Sequence, residues 1–136
     1  MPGDYVFDSF AVLAFLQDEP GAARVAALLE GAADGEFEIT MPVVNLGEAA
    51  YTMQNRHRSE IALTIARVDE WPLRIVNVDR ELALVAARIK AERGLGYLDC
   101  FVVALAQRLD ATVLTGDRDF EAVEDVVSVE WLPASA

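Results

Sequence analysis

Four short apolar segments of this chain run into an acid: Tyr5-Val6-Phe7-Asp8, Asn45-Leu46-Gly47-Glu48, Tyr97-Leu98-Asp99 and Leu114-Thr115-Gly116-Asp117-Arg118-Asp119. A carboxylate in apolar surroundings is costly unless positive charge or hydrogen bonds meet it. If the fold gathers Asp8, Glu48, Asp99 and Asp117, their mutual repulsion has two outlets. One is protonation at strongly raised pKa values; the other is capture of a hard divalent cation such as Mg²⁺ or Mn²⁺. The second outlet makes a phosphodiesterase centre. Taken singly, Asp8, Asp99 and Asp117 read as caps of helices or turns, and Glu48 as a solvated helix residue. Together they read as a site, because all four interrupt apolar surroundings at the ends of elements that converge. Asp119 suits a helix cap as well as a site, and the hydroxyls of Ser9 and Thr115 can hold carboxylates or a metal-bound water.

Other chemistry is thinly represented. His57 is the only histidine and lies in an arginine-flanked polar stretch, so it is expected at the surface. Paired histidines for metal-free ribonuclease chemistry are therefore excluded, and a histidine zinc site is unsuited to this chain. Cys100, alone in an apolar helix, reads as a small buried hydrophobe. Gly94-Leu95-Gly96-Tyr97-Leu98-Asp99 begins like a dinucleotide fingerprint, but it ends a helix and puts Asp99 where the third glycine belongs. No GxxxxGK[ST] phosphate loop is present.

The elements that must position the acids alternate along the chain. Strands are predicted at Tyr5 to Phe7, Phe37 to Met41, Leu73 to Val78, Thr112 to Leu114 and Val126 to Trp131. Helices are predicted over Ser9 to Leu16, Pro20 to about Glu30, Pro42 to about Gln54, Glu60 to Glu70, Asp79 to Arg93 and Leu98 to Leu109. A short helical turn follows at Phe120 to Val123, and Asn55-Arg56-His57-Arg58-Ser59 reads as a polar break. The Leu98 helix is apolar on nearly every side from Cys100 to Ala106 and must lie deep. The pattern implies an α/β fold, a mostly parallel sheet of about five strands with helices on both faces. Ligands of such sheets bind beyond the strands' carboxyl ends, where strand order reverses. With the first and fourth strands adjacent there, Asp8 and Asp117 face one crevice.

At 136 residues the chain is expected to form one domain, residues 1–136. Its hydrophobic fraction of 54% contains no apolar run near the roughly 20 residues of a membrane span. The start lacks the basic and apolar stretches of a secretory signal and there is a single cysteine, so a reducing cytoplasm is expected. The formal net charge of -12 disfavours nucleic-acid binding by counterion release alone and predicts a basic partner. Bound cations would reverse the local sign, and a few arginines could cradle phosphates.

The four acidic segments, extended to Val6-Phe7-Asp8-Ser9-Phe10, Asn45-Leu46-Gly47-Glu48-Ala49, Leu98-Asp99-Cys100-Phe101 and Leu114-Thr115-Gly116-Asp117-Arg118-Asp119-Phe120, resemble those of PIN-domain nucleases in order and approximate spacing. Within that family the chain is most similar to VapC-type toxins, over nearly its whole length. The resemblance implies a three-layer α/β/α sandwich and Mg²⁺-dependent endoribonuclease activity. Asp8 and Asp99 would be the principal metal ligands, Glu48 and Asp117 would complete the acidic site, and Asp119 would contribute. Hydrolysis by a metal-activated water at one or two ions is the implied mechanism, with Arg118 a candidate for phosphate contact. It further implies a VapB-like antitoxin lying over the acidic groove, flanked by the apolar second and third helices, and a homodimer.

Competing classes fit less well. A dehalogenase-like phosphatase needs an acid two residues after Asp8, where Phe10 stands, and a receiver domain needs a lysine after a late strand, where none occurs. A non-enzymatic PIN fold, its acids idle, is the remaining alternative, which a metal titration discriminates.

Overall fold

A computed structural model of the chain describes residues 3–134. Five strands, β1 (Tyr5–Phe7), β2 (Ile39–Pro42), β3 (Arg74–Val76), β4 (Thr112–Thr115) and β5 (Val129–Trp131), form one sheet in the order β3-β2-β1-β4-β5. Every pairing is parallel, with Val6 beside Thr40 on one flank and Val113 on the other. The chain builds outward from β1 to β3, then returns to add β4 and β5 on the other side. Strand order therefore reverses between β1 and β4, as the acids required.

Six α-helices cover the two faces: α1 (Ser9–Leu16), α2 (Ala22–Ala33), α3 (Val43–His57), α4 (Ile61–Asp69), α5 (Arg80–Arg93) and α6 (Tyr97–Leu109). Successive strand residues point to opposite faces. Val6 and Val113 accordingly pack with α5 and α6, while Phe7 and Leu114 pack with α1, α2, α3 and α4. The result is the expected three-layer sandwich. Seven consecutive residues of α6, Cys100 to Ala106, are buried, so this helix lies deep as its composition demands. Asp79 caps α5 through its side chain, which accepts from Leu82 N at 2.7 Å, and Gly94 ends the helix at φ +77°.

Several boundaries differ from expectation. Helix α3 continues through Asn55, Arg56 and His57 and stops at Arg58 in the left-handed region, φ +56°. Exposed basic side chains suit the negative end of a helix, so polarity there does not interrupt it. Helix α2 begins two residues after Pro20 and runs on to Ala33. Strands β3 and β5 are shorter than their apolar runs because each is paired for only three residues, opposite Thr40 to Pro42 and Val113 to Thr115 respectively. Val126 instead belongs to the turn after a 3₁₀ helix that spans Arg118–Val123, two residues earlier than predicted. His57 is exposed and Cys100 fully buried, both as expected. No helix among the described residues is long and apolar enough to cross a membrane.

Candidate metal centre at the strand reversal

The carboxyl ends of β1 and β4 deliver two acids side by side. Asp8 leaves β1 with extended backbone and becomes the N-cap of α1, where Oδ1 accepts from Ala11 N at 2.9 Å. Its other oxygen, Oδ2, accepts a short hydrogen bond from the Thr115 hydroxyl at the end of β4. Thr115 Oγ1 in turn accepts from Asp117 N at 3.0 Å, and Asp117 Oδ1 accepts from Asp119 N at 2.9 Å. A continuous chain of hydrogen bonds thus ties the first strand to the turn after the fourth. Asp8 is 1% exposed and Thr115 wholly buried.

Helices α6 and α3 supply the other acids. Asp99 sits in the first turn of α6 and is half-buried. One oxygen each of Asp99, Asp117 and Asp119 lies within 4.8 Å of the others. Glu48, half-buried on α3, accepts from Ser9 Oγ at 2.6 Å, so α1 steers it. Asn45, three residues before Glu48 and fully buried, donates from Nδ2 to the Leu98 carbonyl at 3.3 Å, fastening α3 to the turn that holds Asp99. Its Oδ1 is the buried side-chain oxygen left without a partner among the described residues.

The electrostatics follow from burial and crowding. Asp8 is pushed up to about 8, chiefly by burial; the Thr115 and Ala11 hydrogen bonds oppose this, while the charges of Asp99 and Asp117 reinforce it. Asp99 is pushed up to about 7, again first by burial, then by Asp117, Glu48 and Asp119. No arginine or lysine makes an ion pair with these acids among the described residues. Oxygen donors alone, crowded and uncompensated by protein cations, fit a hard divalent ion. Asp99, Asp117 and Asp119 each offer an oxygen to one such ion, and Asp8, whose oxygens also accept from Ala11 N and the Thr115 hydroxyl, stands close enough to feel the charges of Asp99 and Asp117. Cys100, beside this centre in sequence, is an inert thiol: burial raises it to about 11.

Arg118 lies at the edge of the centre. Its guanidinium stacks 4.3 Å from the Trp131 ring centroid and meets Glu121 at 3.5 Å. Sequence reasoning missed Asn45, whose signal was a polar residue on the buried stripe of α3. It also missed Phe10, whose ring lies over Gly116: a Cβ there would come within 2.2 Å of Phe10 Cε1. The glycine between Thr115 and Asp117 is therefore required by a residue over a hundred positions away.

Comparisons with known proteins agree with this fold. No curated protein matches the sequence. VapBC2 from Rickettsia felis, solved bound to a promoter DNA fragment, superimposes with a TM-score of 0.70 at 15% identity, covering 95% of this chain and 98% of that one. FitAcB from Neisseria gonorrhoeae gives 0.67 at 19% identity, covering 92% and 95%. VapC20 from Mycobacterium tuberculosis, a toxin that cleaves the sarcin-ricin loop, gives 0.66 at 18% identity, covering 88% and 94%. At such identities the likeness establishes the shared fold. The sequence profile of the PIN domain matches residues 5–126, a stretch that includes β1, β4 and all the acids of the centre, and the chain belongs to the PIN-domain family.

Proposed function

We propose that this chain is a divalent-metal-dependent endoribonuclease and the toxin half of a VapBC-type toxin-antitoxin pair, acting as a homodimer. The observation that carries the reading is the convergence of Asp99, Asp117 and Asp119 beside buried Asp8 at the strand reversal, with no ion pair to neutralise them among the described residues. Asp99, Asp117 and Asp119 would hold Mg²⁺ or Mn²⁺. When bound, such an ion polarises the phosphate and lowers the pKa of water to make a nucleophile at neutral pH.

The chain's own side chains do the positioning. Thr115 and Ala11 fix Asp8, whose carboxylate would add negative charge beside a bound cation. Ser9 anchors Glu48 at Oε1, leaving Oε2 as the oxygen that accepts the proton released by the attacking water. Asn45 holds α3 and α6 in register, so that Glu48 and Asp99 face the same phosphate. Toxin-antitoxin complexes among the structural neighbours support an antitoxin partner, and a net charge of -12 favours one that is basic. Exposed Tyr51 on α3 and Ile61 and Leu63 on α4 offer it an apolar surface.

The test is incubation of the purified protein with single-stranded or looped RNA. Cutting is expected with Mg²⁺ or Mn²⁺ only, leaving 5′-phosphate and 3′-hydroxyl ends. Cutting that persists in EDTA, or 2′,3′-cyclic phosphate products, overturns the reading.

A further inference from the structure

Beside the acidic centre a cleft of about 490 Å³ opens between α1, the C-terminal end of α3 and the turn after β4. That volume lies within the range of small-ligand sites. Its apolar wall is Phe10 and Leu13, three residues apart on one face of α1 and both half-buried. Phe10 packs its ring against Gly116, next to Asp117, which lines both the cleft and the centre. The polar wall carries Arg56 and Arg118. Glu19 also lines it and is engaged by Gln17 Nε2 at 2.7 Å.

These two arginines are held more loosely than Arg24, Arg93 and Arg108. Arg24, Arg93 and Arg108 are committed to Glu130, Asp125 and Asp79 at 2.8, 2.5 and 3.2 Å. Arg56 makes only a 3.4 Å contact to Gln17 Oε1, an atom that His57 Nε2 meets more closely, at 2.9 Å. Arg118 gives the face of its guanidinium to Trp131 and reaches Glu121 through one in-plane nitrogen at 3.5 Å, the longest of the four ion pairs among the described residues, with its other in-plane N–H donors left over. A cleft with an aromatic wall and two guanidinium groups held only by contacts of 3.4 and 3.5 Å suits a planar base joined to a phosphate. A basic peptide aimed at the same acids would instead meet like charge here.

Resting on the nuclease reading above, we propose that this cleft seats the nucleotide next to the scissile phosphate, with Arg56 and Arg118 contacting its phosphate and Phe10 its base. The placement also resolves how a chain of such net acidity holds RNA: attraction is local, from two arginines adjoining a cation site.

Fluorescence anisotropy of a short labelled single-stranded RNA tests this, with Ca²⁺ replacing Mg²⁺ to occupy the centre without turnover. Arg56→Ala and Arg118→Ala should each weaken binding about three- to tenfold and reduce the slope of log affinity against log salt by about 0.7. Phe10→Leu should weaken binding at least about fivefold with the salt slope unchanged. Arg88→Ala, on exposed α5, should match the parent in both. If Arg56→Ala and Arg118→Ala keep the parent's affinity and slope, the proposal is overturned and the cleft is left to a protein segment. Mg²⁺-dependent cutting by the parent, read in parallel, separates the two readings. A parent that cuts while the slopes stay unmoved loses the cleft alone, and one that neither cuts nor binds loses the nuclease assignment and the cleft with it.

Discussion

The two ends of the sheet treat charge in opposite ways. Around the amino ends of β4 and β5 lies a hollow of about 540 Å³ lined by Gln107, Asp110, Asp125 and Ser128, larger than the cleft beside the acids. There Asp125 is paired with Arg93, whose hydrogen bond holds its carboxyl below the usual range. Asp79, elsewhere on the surface, is lowered in the same way by Arg108. At the carboxyl ends the acids have one another for company, and Asp8 and Asp99 rise to about 8 and about 7. Volume does not separate the two ends, but compensation does. A paired carboxylate is at rest, while an unpaired cluster around a buried acid needs protons or a cation.

The largest effect that could break this contrast is on Asp99. Asp99→Asn should lower RNA cutting at least about a hundredfold, since a direct ligand supplies several kcal/mol of transition-state stabilisation. The metal-free variant should melt at or above the parent, because one repelling charge is gone, and Mg²⁺ should stabilise only the parent appreciably. Unchanged cutting together with equal Mg²⁺ stabilisation would remove Asp99 from the centre.

Next in size is a structural cost with no charge in it. Gly116→Ala must displace the Phe10 ring, and overpacking of this kind costs roughly 1–3 kcal/mol. Denaturant melts would measure it; a neutral result would mean that Phe10 has room to move.

The pH dependence comes third. The folded pKa values of Asp8 and Asp99 lie above the unfolded ones, so between about pH 4 and about pH 8 the metal-free native chain binds more protons than the unfolded chain. Their contribution to stability is fully present at the acidic end and is lost as pH rises through the folded values. Metal-free melting temperature should therefore gain an added downward trend across this window, one that Asp8→Asn flattens and Mg²⁺ offsets mainly at its upper end. A parent and Asp8→Asn variant with the same pH profile would show that burial of Asp8 is relieved in some other way.

The smallest effect belongs to the opposite end of the sheet. Arg93→Ala breaks an exposed ion pair, and should leave Mg²⁺-dependent cutting and melting close to the parent's. A large loss of cutting would erase the distinction between the two ends.

What the sequence made legible was periodic or local. The apolar run of α6, the capping aspartates and the strand-helix alternation are written in neighbouring residues, and they suffice to bring Asp8 and Asp117 to one crevice. Strand ends were not legible, because β3 and β5 stop where their partners stop. Arg56 was hidden inside an apparent polar break, since only packing shows that α3 continues to carry it beside α1. The dependence of Gly116 on Phe10 joins residues that nothing local connects. The same is true of the hydrogen bond from the Thr115 hydroxyl to Asp8.

The hydrogen bond from Thr115 to Asp8 spans 107 residues, joining the first strand to the fourth. Asp8, at the end of the first strand, and the Asp117-Asp119 turn after the fourth are therefore more than a hundred residues apart in sequence and adjacent in the fold. No truncated product that ends before that turn carries the complete centre. The centre therefore assembles only once β1 and β4 have paired, so its formation waits on the longest-range pairing of the sheet and not on any single helix.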